Sequence, residues 1–70
     1  MSKHHENLGN NIRRYRLKKG LTQEQLSQLS EVSEAYVSRL EAGKRNPTVN
    51  VLAKIAEILG VELEMLFRKV

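Results

Sequence analysis

The sequence predicts an all-α fold, a compact domain of five helices, on three observations. Apolar residues recur at three- and four-residue spacing through most of the chain. No stretch alternates with the two-residue period of a strand. Ser or Thr stands immediately before three of the periodic segments, where a helix needs a capping side chain.

Residues 1–6, Met-Ser-Lys-His-His-Glu, show no periodicity and are expected to form a flexible tail ahead of a single domain over 7–70. The first helix is expected over 7–19, because Leu8, Ile12 and Tyr15 fall on one face. Gly20 ends it, and Lys18 and Lys19 place positive charge at its negative dipole end. The second helix, 22–29, starts at Thr22 with Gln25 three residues on, the spacing of a capping box, and Leu21 can staple to Leu26. The third, 33–41, repeats the device with Ser33 as cap and Val32 and Val37 as staple. Pro47 and Thr48 open the fourth, 48–59, whose Leu52, Ile55, Ala56 and Leu59 line one face before Gly60 stops it. The fifth, 62–69, has a stripe of Leu63, Leu66, Phe67 and Val70, but Glu62 is a poor cap and the helix is expected to fray.

Composition narrows the function. The chain carries 12 Lys and Arg against 8 Glu, a net charge of +4. Residues 1–45 hold nine of the basic side chains and five of the glutamates, while residues 46–70 are neutral. One surface is therefore suited to a polyanion and another to something else. Cysteine is absent, which excludes disulfides, zinc thiolates and thiol catalysis and agrees with a reducing cytoplasm. No signal peptide and no apolar run of the ~20 residues needed for a membrane span is present, so a soluble cytoplasmic protein is expected. Catalysis is not expected, because with neither Cys nor Asp the chain offers only scattered Glu and the adjacent His4-His5, which lack a third ligand at helical spacing. No metal or cofactor is anticipated.

Two short helices, 22–29 and 33–41, separated by about three residues, make a helix-turn-helix. Leu26 and Leu29 are expected to pack on Val37 and Leu40, with the small Ser27 letting the backbones approach. From about Ile12 to Phe67 the chain resembles the phage repressor and Cro-type helix-turn-helix family. The most specific runs are Leu21-Thr22-Gln23-Glu24-Gln25-Leu26, Val37-Ser38-Arg39-Leu40-Glu41-Ala42-Gly43-Lys44-Arg45-Asn46-Pro47 and Leu59-Gly60-Val61. Two positions depart from the family pattern: Ser27 replaces a usual Ala, and Glu31 replaces the usual turn Gly. Glu31 should cost about 1 kcal/mol if the turn keeps a left-handed backbone.

The resemblance implies sequence-specific binding to double-stranded DNA by a transcription regulator, a repressor more readily than an activator. It places base contacts at the start of the third helix, on Ser33, Glu34, Ala35, Tyr36, Ser38 and Arg39. The chemistry of these side chains suits base reading. Arg39 can pair with guanine, Glu34 can accept from a cytosine amino group, and Ala35 can touch a thymine methyl. Ser33 also caps its helix, and Glu34 is favoured there by the helix dipole alone. Phosphate contacts are expected from Thr22 and Gln23 at a helix N-terminus and from Lys44, Arg45, Asn46 and Thr48. For Lys44 and Arg45 a solvated turn is the simpler alternative. The family also implies a partly buried ion pair, Arg16 with Glu41, joining the first and third helices.

Val51, Ile58, Leu63 and Met65 lie off or beside the apolar stripes of the neutral C-terminal part. They are expected to form a homodimer interface, which would present two reading helices to a near-palindromic operator. The competing use of this surface is docking of a partner protein, as for an antitoxin.

Overall fold

A computed structural model describes residues 3–68, with side chains from Asn7 onward. It contains four α-helices, α1 (Lys3–Lys18), α2 (Gln23–Ser30), α3 (Glu34–Glu41) and α4 (Val49–Leu59), followed by a 3-10 helix, Leu63–Phe67. The count of five α-helices is corrected. The fifth segment is a single tight turn, and its cap residue, Glu62, makes no side-chain hydrogen bond to the helix start. An uncapped five-residue segment cannot sustain the longer α-helical ladder, and 3-10 geometry is typical of such short pieces. Val70 of the expected stripe lies outside the described residues.

The helix α1 begins at Lys3, four residues ahead of the expected Asn7. Neither Gly nor Pro interrupts Lys3–Leu8, so nothing in the backbone chemistry stops the extension. Residues 1 and 2 and the side chains of His4 and His5 lie outside what is described.

The three Ser/Thr caps act as such. Thr22 Oγ1 accepts from the Gln25 N–H at 3.0 Å while Gln25 Oε1 accepts from the Thr22 N–H at 2.8 Å, a complete capping box. Ser33 Oγ accepts from the Tyr36 N–H at 3.0 Å, and Thr48 Oγ1 from the Val51 N–H at 3.2 Å. The four α-helices also end alike. In each, two successive N–H groups fold back onto carbonyls of the last turn around one residue with positive φ, the Schellman arrangement. Three of those residues are glycines. The fourth is Glu31, at φ 62° and ψ 35°, so the left-handed turn is retained without its glycine.

The core consists of Leu8, Ile12, Leu26, Val37, Leu40, Leu52, Ile55, Ala56, Leu59 and Leu66. The helix α1 packs on α3 and on the 3-10 helix, and α2 packs between α3 and α4. The approach of α1 to α3 is close at Gly9, where a Cβ would lie 2.5 Å from the Leu40 carbonyl oxygen and 2.6 Å from that of Glu41. Asn11, also on α1, is buried and donates to the carbonyls of Leu66 at 2.9 Å and Arg68 at 2.6 Å, which ties the C-terminal turn to the first helix. Leu29 does not pack between α2 and α3 as expected; it is 55% exposed, and Leu26, Ser27 and Ser30 fill the inward face instead. Leu63 and Phe67 likewise stay exposed, leaving Leu66 as the inward residue of the 3-10 turn.

Candidate nucleic-acid interface

The helix α3 is short and two-sided. Val37, Leu40 and Glu41 are buried, so the helical period turns Glu34, Ala35, Ser38 and Arg39 outward together. Ser33 is exposed at its N-terminus, and Tyr36 sits half-buried at the edge, packed against the core. The six residues nominated for base contacts thus lie on or beside one helix face that the core does not use.

The flanks of this face are less uniform. The N-terminus of α2 is close, and Thr22 caps it: its hydroxyl oxygen accepts from the Gln25 N–H and its own N–H donates to Gln25 Oε1, which leaves the hydroxyl proton free to donate. Gln23 is half-buried and its side-chain amide donates to Glu41 Oε1 at 3.1 Å. On the other flank, Lys44, Arg45 and Asn46 are exposed. The Lys44 N–H donates to the Arg39 carbonyl at 2.8 Å, which starts the basic loop against α3 itself. Arg45 stands over the Tyr36 ring, its Cζ 4.6 Å from the ring centroid, within cation–π range. Thr48 closes the loop as the cap of α4.

Beneath the face lies the ion pair. Arg16 Nε donates to Glu41 Oε2 at 2.7 Å, and a second guanidinium nitrogen donates to Oε1 at 3.0 Å, a bidentate fork. The remaining terminal nitrogen donates to the Leu21 carbonyl at 2.8 Å. Arg16 and Glu41 are each only 7% exposed. With Gln23 on the same carboxylate, the cluster links α1, the α1–α2 turn, the start of α2 and the end of α3. No buried side-chain nitrogen or oxygen among the described residues lacks a partner.

Above the pair, Arg13, Arg16, Gln23, Ser38, Glu41 and Ala42 line an open cavity of about 290 Å³. Arg13 thus borders the outward face of α3 from α1. The crossing of α1 over α3, permitted by Gly9, brings it near.

The residues expected at a dimer interface are distributed differently from a wholly spare patch. Val51 and Ile58 are half-buried and pack on the core edge, Met65 is half-buried, and Leu63 is 37% exposed. Larger apolar exposure occurs at Leu29, Val49 and Phe67. Leu29 and Ile58 share a groove with Glu31, Lys54 and Glu57, in which Lys54 Nζ lies 3.2 Å from Glu31 Oε1. Among the described residues no cluster of three metal-ligating side chains occurs, and no helix is long and apolar enough to cross a membrane.

This arrangement of α2, turn and α3 is a helix-turn-helix, and known proteins share it. A family model described as helix-turn-helix matches residues 12–66. An HTH-type transcriptional regulator of Sinorhizobium fredii is 50% identical over 54 residues, covering 77% of this chain and 70% of that protein. The HTH-type regulator SlrR of Bacillus subtilis is 44% identical over 61 residues, 86% of this chain but 40% of its own length. Among solved structures, the restriction-modification controller protein C.AhdI of Aeromonas hydrophila superposes with a TM-score of 0.84 at 37% identity, covering 89% of this chain and 94% of that one. The biofilm master regulator SinR, solved in complex with DNA, gives 0.82 at 29% identity, covering 87% of this chain and 98% of that one. The chain belongs to the helix-turn-helix family, as a transcriptional regulator and not an enzyme.

Proposed function

We propose that this protein binds duplex DNA in a sequence-specific way and represses transcription as a homodimer on a near-palindromic operator in the cytoplasm. The observation that carries the reading is the outward row Glu34, Ala35, Ser38 and Arg39, left free by the core and flanked by the exposed Lys44–Asn46 loop. A row of this length covers a few base pairs in a major groove, while the loop meets the adjoining phosphates. SinR's complex with DNA supports assigning the same ligand class to this chain. Repression follows because occupying an operator needs no further contact, whereas activation requires a polymerase surface.

Two half-sites one DNA turn apart place reading helices about 34 Å from each other. The longest Cα dimension of this domain is 27 Å, so a single copy does not reach both. The interface is assigned to Val51, Ile58, Leu63 and Met65, on the neutral side of the chain where two basic faces do not oppose each other.

The test begins with duplexes selected from a random pool. Arg39→Ala should cost about 1–3 kcal/mol on the selected site and relax preference at one base pair, sparing nonspecific binding. Joint Lys44→Ala and Arg45→Ala should weaken all duplexes alike and reduce the log-affinity versus log-salt slope by about 1–2. Replacing Ile58 and Met65 with Lys should leave helicity intact but give a monomer in sedimentation and lose the two-half-site complex. A wild type that selects no duplex sinks the reading and favours the alternative, docking of a partner protein.

A further inference from the structure

The contact between Arg45 and Tyr36 joins two groups to which the proposed function gives different roles. Tyr36 belongs to the base-reading helix and Arg45 to the phosphate-binding loop. The inference rests on that reading and goes one step past it. We propose that Tyr36 is a positioning residue for Arg45: its ring holds the guanidinium in a DNA-competent pose before the duplex arrives, so that base reading and phosphate grip are energetically coupled.

Three observations support the direction of this coupling. The Tyr36 ring is packed, because the residue is half-buried against the core, and its backbone is held by the N–H bond to the Ser33 cap. The loop is anchored at both ends, by the Lys44 N–H on the Arg39 carbonyl and by the Thr48 cap of α4. Between those anchors Arg45 is exposed on its solvent side and meets a ring face at 4.6 Å. An arginine side chain carries large rotamer entropy, and a contact that restrains it in the free protein removes part of that cost from binding. Tyr36 is thus the device through which a change on the reading helix alters a sequence-independent contact.

The test is a double-mutant cycle on the selected duplex, with Arg45→Ala measured in the wild type and in Tyr36→Leu. An exposed cation–π contact is worth about a 2- to 5-fold change in an equilibrium constant. Arg45→Ala should therefore weaken binding about 2- to 5-fold more in the wild type than in Tyr36→Leu. Tyr36→Phe, which keeps the ring and removes the hydroxyl, should restore the full effect of Arg45→Ala. In DNA-free protein, the Arg45 side-chain protons should resonate upfield in the wild type and in Tyr36→Phe, and lose that ring-current shift in Tyr36→Leu.

Equal effects of Arg45→Ala in both backgrounds overturn the coupling while leaving DNA binding in place. A larger effect in Tyr36→Leu also overturns it, because the ring would then compete with DNA for the guanidinium. A wild type that binds no duplex overturns the underlying function instead, and the ring-current shift still reports whether the contact exists.

Discussion

Removing one partner of the Arg16–Glu41 pair should destabilise the domain more than removing both. In Glu41→Leu the guanidinium, 7% exposed, keeps the Leu21 carbonyl but loses both carboxylate bonds. In Arg16→Met a carboxylate equally enclosed keeps only the Gln23 amide. An uncompensated buried charge of this kind costs about 3–5 kcal/mol. A chain of this size has a total stability of roughly 3–10 kcal/mol, so either single variant sits near or past the unfolding threshold at room temperature. At about 4–8 °C per kcal/mol, its melting temperature should fall by at least ~12 °C. The double variant, Arg16→Met with Glu41→Leu, leaves no orphaned charge. Its remaining deficits are the Leu21 carbonyl, on a half-buried residue, and the Gln23 amide, which lines the open cavity, so water can replace the lost partner. It should be at least ~1 kcal/mol more stable than either single variant, a coupling of several kcal/mol. Urea and thermal unfolding followed by circular dichroism measure all four proteins. A double variant as unstable as the sum of the singles would refute the argument, because the two side chains would then contribute independently.

Three further substitutions probe the close packing, the C-terminal tie and the left-handed turn of the fold. Gly9→Ala forces a Cβ onto the Leu40 and Glu41 carbonyls; the overpacking should cost about 1–3 kcal/mol despite alanine's better helix propensity, read from urea midpoints. Asn11→Ala strips the Leu66 and Arg68 carbonyls of their donor; it should cost about 1–3 kcal/mol and speed amide exchange in the 3-10 turn more than in α2 or α3. Glu31→Gly relieves a left-handed residue worth about 1 kcal/mol against an exposed Lys54 ion pair worth ~0–1 kcal/mol. It should raise the melting temperature or leave it unchanged, and a drop of several degrees would show that the ion pair outweighs the strain.

The misassignment of Leu29 has an identifiable cause. Polarity in a sequence reads as exposure, and in this domain several polar residues face inward with their hydrogen bonds already satisfied. Ser27 and Ser30 return their hydroxyl protons to the Glu24 and Leu26 carbonyls at 2.6 Å each. Both can therefore be buried, and the inward face of α2 becomes Leu26, Ser27 and Ser30. That arrangement rotates Leu29 about one quarter turn from the core, although its apolar character and its spacing from Leu26 point inward. Asn11 is the same case at longer range, since the carbonyls that accept from it lie 55 and 57 residues away and no local pattern announces them. Caps, by contrast, are local chemistry. Thr22, Ser33 and Thr48 are legible because donor and acceptor lie three residues apart. The strained turn at Glu31 is legible only through the family resemblance, since nothing in a glutamate signals positive φ.

The site is legible to the extent that it is the complement of the core. Once Val37 and Leu40 are assigned inward, the helical period leaves Glu34, Ala35, Ser38 and Arg39 outward without further information. The loop's placement needs one thing more, and Gly43 supplies it. At φ 74° it reverses the chain so that the Lys44 N–H meets the carbonyl of Arg39, a residue of the outward face of α3. The next residue, Arg45, then comes back over Tyr36, one turn earlier on α3. A straight continuation of α3 would carry the basic pair away from its N-terminal half at about 1.5 Å per residue. The turn that terminates α3 is therefore also the turn that brings cations beside it. A helix as short as α3 therefore keeps the basic loop beside its outward face.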